Sequence, residues 1–268
     1  MLMPPLFQAR EAPPRGRVSA TDAASAGILA AVAAFVALIL LAMAEYPGGT
    51  GWDPTSHGND FWLNYLCDLE RTVARNGQPN PLGSALARAA VLVLASGLVF
   101  VWWIVPRLSR GSPRLGRAAR VLGAVTVPGM LAVGLFPADR FPTWHPIEMI
   151  LAGLPGLAAA AIAVLGLALE KPAPRVAVVV GGAAVVTAGV DFALYVRQLV
   201  GDGPGPTAGA ILERVALILV LAWMCAIAWR ARGIGRDVQR VQASAHTRAP
   251  WCTRSSRAPP PRELLSPR

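Results

Sequence analysis

Charged residues are scarce. Only 15% of the 268 side chains are Asp, Glu, Lys or Arg, against 54% hydrophobic ones. A soluble domain of this length needs more polar cover than that, which excludes a water-soluble fold. Period-two alternation of apolar and polar residues is lacking as well, which excludes a spanning barrel, and an open sheet could not satisfy its backbone in lipid. Cysteine is limited to Cys67, Cys225 and Cys252, in three separate segments without C-x-x-C spacing. Neither an intrachain disulfide nor a cysteine-based metal or redox centre is expected. No P-loop, dinucleotide-binding glycine run, H-E-x-x-H or G-x-S-x-G tract occurs. Nucleotide-driven transport and the familiar hydrolase classes therefore have no support, and no cofactor is expected.

What the chain does have is six long apolar runs, at 26–45, 85–106, 119–136, 146–169, 176–199 and 210–229. At about 1.5 Å per residue each can cross roughly 30 Å of hydrocarbon as a helix. The expected fold is all-α, a polytopic transmembrane bundle of six helices over residues 26–229, with a short extra helix in the first outer connection. Residues 1–25 and 230–268 are rich in Pro, Arg, Ser and Ala. They bury too little apolar surface to offset ordering entropy, so both are expected to be disordered. Ala42-Met43-Ala44 has the form of a signal-peptidase site, but its apolar run is longer than a signal core, and an uncleaved anchor is expected.

The net charge of +10 is distributed in a way that argues against nucleic acid as a partner. Arg10, Arg15 and Arg17 precede the first run, Arg107, Arg110, Arg114, Arg117 and Arg120 fill the second connection, and Lys171 and Arg175 the fourth. The first, third and fifth connections hold Arg71, Arg75 and Arg140 against Asp53, Asp60, Asp68, Glu70, Asp139 and Asp202. The positive-inside rule then puts both termini in the cytoplasm of a cell-membrane protein and the stretch HGNDFWLNYLCDLERTVAR, from His57, outside. Trp62 and Trp144 at outer boundaries, with Trp102, Trp103 and Trp229 at inner ones, fit an aromatic belt.

If residues 60–75 form one helix with Asn59 as its N-cap, Asp60, Asn64, Asp68, Arg71 and Arg75 fall within roughly 80° of its circumference, with Glu70 outside that stripe and open to solvent. Such a stripe faces either a pocket at the outer mouth of the bundle or open water, in the latter case with Asp68 paired to Arg71 at i,i+3. Ionisable groups at matching depth favour the pocket. Arg88, Glu148, Asp191, Arg197, Glu213 and Arg214 all fall in the outer third of their runs, where an unpaired charge costs roughly 3 kcal/mol or more. Asp191 is expected to pair with Arg88 or Arg214, and Tyr195, one turn beyond it, to add a hydroxyl. Pro128-Gly129 and Pro155-Gly156 suggest kinked or broken helices like those of transporters.

The tracts YPGGT from Tyr46, NYLCDL from Asn64 and GLFPAD from Gly134, with His145 following, resemble a bacterial membrane family, the one numbered nine hundred and ninety-eight among the domains of unknown function. The resemblance covers roughly residues 27–229 and implies a six-helix membrane domain. It implies no activity, but points to Asn64, Asp68, Asp139 and His145; Cys67 stands where many relatives carry serine.

Three functions compete. The first is binding or transport of a lipid headgroup or small polar molecule, in a pocket built from Asn64, Asp68, Arg71, Arg88, Asp139, His145, Glu148, Asp191, Tyr195, Glu213 and Arg214. The second is a membrane-embedded metal-dependent hydrolase using His57, Asp60, Asp68 and His145. The third is a structural subunit whose partners are membrane lipids and other helices, packed through Gly and Ala.

Overall fold

The computed structural model describes residues 19–201 and 207–248. Among them are six long helices, α1 (Ala20–Glu45), α3 (Pro81–Leu108), α4 (Pro113–Leu135), α5 (His145–Ala168), α6 (Arg175–Val200) and α7 (Thr207–Arg248), and one short helix, α2 (Leu66–Glu70). All six long helices are long and apolar enough to cross a membrane, α7 over Thr207–Gly233. The protein is therefore an all-α, multi-pass membrane protein with a short extra helix between its first two spans.

The ends follow local chemistry. Ser19 caps α1 by accepting from the Asp22 amide at 3.1 Å, so residues 20–25, expected to be disordered, form its first turns. Proline opens α3, α4 and α5, at the position where a missing amide hydrogen costs nothing. Past residue 229, α7 continues to Arg248, because no proline interrupts it before Pro250. Residues 1–18 and 249–268, the rest of the tails expected to be disordered, lie outside the described residues, as do Asp202 and Cys252.

Each long helix packs on the next in chain order, and α7 returns to α1 and α3, so the six spans form a closed ring. The Pro-Gly pairs do not break α4 or α5, which run continuously through Pro128 and Pro155. Their glycines bring the two backbones together instead. A Cβ on Gly129 would lie 2.7 Å from the Ala152 Cα, and one on Gly156 3.1 Å from the Thr126 Cγ2. Close approach through small residues is the usual source of cohesion between helices in lipid.

Residues 46–80 fold as a lid over one end of the ring. The single helix expected over 60–75 is reduced to Leu66–Glu70. Asp60 Oδ1 accepts from the amides of Trp62 and Leu63 at 2.9 and 3.0 Å, and Asp68 Oδ2 from that of Tyr65 at 3.1 Å. Each carboxylate offers the backbone a local alternative to a continuous helix. Gly48 and Gly49 adopt φ of 134° and 86°, a region closed to most side chains. A Cβ on Gly49 would also strike the backbone of Arg75. The chain can therefore double back there, and isolated bridges join Gly48 to His57 and Val73 to Pro79.

Candidate functional site

Asn64 and Asp68 organise the lid from within. Asn64 Nδ2 donates to the Gly49 carbonyl at 2.8 Å, and its Oδ1 accepts from the Asp60 amide at 2.9 Å. Asn59, expected as a helix cap, donates its amide to the same Oδ1 at 3.3 Å. Asp68 is fully buried and meets Arg75 Nε at 2.6 Å. Arg71 is not its partner; the Arg71 Nε donates to the Val73 carbonyl at 3.2 Å. Tyr46 closes the network, its hydroxyl donating to Gly49 O and accepting from the Arg75 amide, both at 3.1 Å. Burial raises the pKa of that hydroxyl.

The spans grip the lid through polar side chains at their ends. Arg214, only 1% exposed, donates from Nε to the Phe61 carbonyl and from an Nη to the Asn64 carbonyl, both at 2.9 Å. Glu213 Oε2 accepts from the Leu66 amide at 2.8 Å. Asn80 Nδ2 donates to the carbonyls of Leu69 and Arg71, and Ser84 Oγ to that of Glu70 at 2.6 Å. From the α4–α5 connection, Asp139 accepts from the Thr72 hydroxyl at 2.6 Å and from the amides of Thr72 and Val73. Burial acts to raise the Asp139 pKa, but these hydrogen bonds outweigh it and hold the carboxyl below its ordinary value.

Several expected site residues thus have other roles. Arg88 caps α4, donating to the carbonyls of Gly134 and Leu135 at 2.9 and 3.0 Å. With Arg88 and Arg214 both bound to backbone carbonyls, neither pairs with Asp191, which has no ion-pair or hydrogen-bond partner among the described residues. The expectation of an Asp191–arginine pair is corrected accordingly. His145 Nδ1 lies 2.8 Å from Glu148 Oε1 within α5, and the Tyr195 hydroxyl is buried without a partner. His57, Asp60, Asp68 and His145 do not converge as the hydrolase requires: among the described residues no three His, Cys, Asp or Glu side chains are grouped to hold a metal. Asp60 is engaged in its turn, Asp68 with Arg75 and His145 with Glu148.

The pocket lies beneath this network. A cavity of about 320 Å³ occupies the ring, with side chains from all six spans in its wall and Leu66, Cys67 and Glu70 of α2 closing its lid end. Its wall is apolar over most of its length. Asp191 and Glu213 join Glu70 near the lid, while Trp102 and Trp223, their rings 6.2 Å apart, sit toward the far end. Among the described residues no Arg, Lys or His lines it. Of the residues expected to form a pocket only Asp191 and Glu213 reach the cavity; Asn64 and Asp68, although buried, do not.

Sequence reasoning misses Glu70 and Cys67, placing the first in solvent and giving the second no role. Glu70 is 2% exposed, with Oε2 unpartnered. Its i,i+4 relation to Leu66 puts both on one face of α2, and its place outside the polar stripe, among Leu66, Leu69 and Val73, is the available signal. Burial, then repulsion from Glu213 and Glu148, pushes its pKa up to about 8 against a weaker pull from Arg88. Burial likewise raises the Cys67 thiol well above its ordinary value, with Asp68, Glu213 and Glu70 adding to the effect. With its pKa at about 8, Glu70 is mostly protonated at neutral pH, so the lid end can donate a hydrogen bond, or release its proton when a cation comes to pair with it.

A raised carboxyl pKa means that the folded state keeps a proton which the unfolded chain releases near 4.5. This contribution to stability is fully present below that value and is lost as pH rises toward about 8. Between these limits the wild type is expected to lose a few kcal/mol relative to Glu70→Gln, at about 1.4 kcal/mol for each pH unit crossed, measured by denaturant unfolding in neutral detergent. Parallel pH profiles for the two proteins would show that Glu70 does not titrate in this way.

Compared with known proteins, the chain matches no family model, no curated protein and no solved structure.

Proposed function

We propose that the protein binds an amphiphile inside the helix ring, with an apolar body in the cavity and a basic or hydrogen-bond-donating head facing Glu70, Asp191 and Glu213 beneath the lid. The observation that carries this proposal is the asymmetry of the cavity, which has apolar walls from six spans, three carboxyl groups at one end and no cation among the described residues that line it. A carboxyl group at membrane depth costs roughly 3 kcal/mol when unpaired, and Asp191 lines the cavity with no partner among the described residues. A ligand head or a proton compensates it. The volume falls in the range of small-molecule sites, about 300–1,000 Å³. The polar stripe of the lid does not serve as the headgroup site in this reading, because its side chains are bonded to one another or to the lid backbone. A small polar molecule without an apolar part would leave most of the wall unmatched, so the expected ligand narrows to an amphiphile.

The same proposal has the lid outside the cell membrane and both termini in the cytoplasm, on the strength of the arginine-rich connections at the far end. It also retains the resemblance to the six-span family named above. A cysteine introduced at Asp53 should react with an impermeant maleimide on intact cells and one at Arg114 should not; the opposite pattern overturns the orientation.

Ligand binding is tested with a long-chain primary amine brominated along its chain, which quenches Trp102 and Trp223 when it enters the cavity. Saturable quenching is expected, much weaker with the carboxylic acid of the same chain. Asp191→Asn, which removes no contact of the lid, should weaken amine binding about tenfold or more, the worth of a hydrogen bond to a charged group. Equal quenching by amine and acid, unchanged by Asp191→Asn, would contradict the proposal.

A further inference from the structure

The end of the bundle opposite the lid holds a second cavity, of about 170 Å³, where the α3–α4 and α5–α6 connections meet α7. Arg110, Lys171 and Arg230 line it together with one acid, Glu170. The acid is already engaged: Glu170 Oε1 accepts from the Gly111 amide at 2.6 Å and so ties the two connections together. Arg110 uses only Nε, on the Arg107 carbonyl at 3.2 Å, which leaves its terminal nitrogens free. Lys171 and Arg230 have no hydrogen-bond or ion-pair partner among the described residues. Three cations thus share a concave site with one committed carboxylate. Beneath them lie the buried side chains of Leu108 and Leu167.

The depth of the site is marked independently. Trp229, next to Arg230, is 76% exposed on the apolar surface, and the Arg107 guanidinium stacks 3.4 Å above the Trp103 ring. Such rings settle at the boundary between hydrocarbon and headgroups. At that level the abundant anion is the phosphodiester of a lipid, and basic cavities between helix ends are suited to anionic heads. A guanidinium grips phosphate oxygens in a fork and an ammonium supplies a point charge. The volume of about 170 Å³ is more than ten times the roughly 10–15 Å³ that one water requires.

We propose that this cavity is a phosphate-binding site, with Arg110, Lys171 and Arg230 on the oxygens and Leu108 and Leu167 beneath. It takes either the anionic headgroup of a membrane phospholipid or free phosphate. The proposal is independent of the amphiphile site at the lid end.

The test uses the full chain in neutral detergent and follows its unfolding temperature, which rises with any ligand that binds only the folded state. The probes are short-chain phosphatidylglycerol, diacylglycerol of the same chains, and inorganic phosphate against chloride at matched ionic strength. Saturable stabilisation by phosphatidylglycerol but not by inorganic phosphate identifies a lipid headgroup; stabilisation by inorganic phosphate identifies the free anion as sufficient. In either case Lys171→Gln/Arg230→Gln should weaken binding about thirtyfold, at roughly fivefold per charge, with the melting transition in chloride as the check that it folds. If that variant does not fold, the wild-type contrast between phosphatidylglycerol or phosphate and their controls decides alone. No stabilisation by either phosphate probe, an equal effect of diacylglycerol, or an undiminished effect in a folded double variant overturns the proposal.

Discussion

A guanidinium buried at the lid end of α7 holds the lid of this protein to its spans. Arg214 has left water almost completely and bonds not to a carboxylate but to two carbonyls of the lid backbone, those of Phe61 and Asn64. Removing a charged donor from such a place strands its acceptors, and leaving the charge without them costs several kcal/mol. Much else depends on this attachment. It sets the chain before α2, whose first amide then rests on Glu213. Glu213 in turn fixes the helix that aims Cys67 and Glu70 into the cavity. Asp68 and Arg75 keep the lid folded on itself, while Asn80, Ser84 and Asp139 fasten its other side.

The spans are legible in the sequence because an apolar run of sufficient length has one stable form in lipid. Their ends are less so. Ser19 and the proline-free stretch before Pro250 lengthen α1 and α7, and both are local effects that average composition hides. Of the polar stripe over residues 60–75, Asn64 and Asp68 are inaccessible, while Asp60 and Arg75 stay exposed. Its helical continuity fails because Asp60 and Asp68 satisfy nearby amides themselves. A five-residue helix then turns a different set of side chains inward than a long one would.

The charge pairing fails for a more general reason. Matching acids with bases by depth neglects the backbone, whose carbonyls at helix ends and in buried loops need donors as much as carboxylates do. Arg88 serves the end of α4 and Arg214 serves the lid, so Asp191 is left facing the cavity. The unmatched acid is one of the three carboxyl groups at the lid end of the cavity, and the proposed ligand head would compensate it. The two ends of the bundle then have opposite chemistry, with carboxyl groups beneath the lid and, where the connections meet at the far end, cations with no carboxylate partner among the described residues. An amphiphile with a basic head suits the first, and an anionic phosphate the second.

Hydrogen exchange read by mass spectrometry, comparing the wild type with Arg214→Met in the same detergent, tests most directly whether the lid is held as described. Amides of residues 61–72 should be protected in the wild type and exchange faster by about tenfold or more in the variant, the loss of two hydrogen bonds to a charged group, while those at the centres of α3 and α5 stay protected. Wild-type lid amides that exchange as fast as a free loop, or a variant whose lid is as protected as the wild type's, would contradict it.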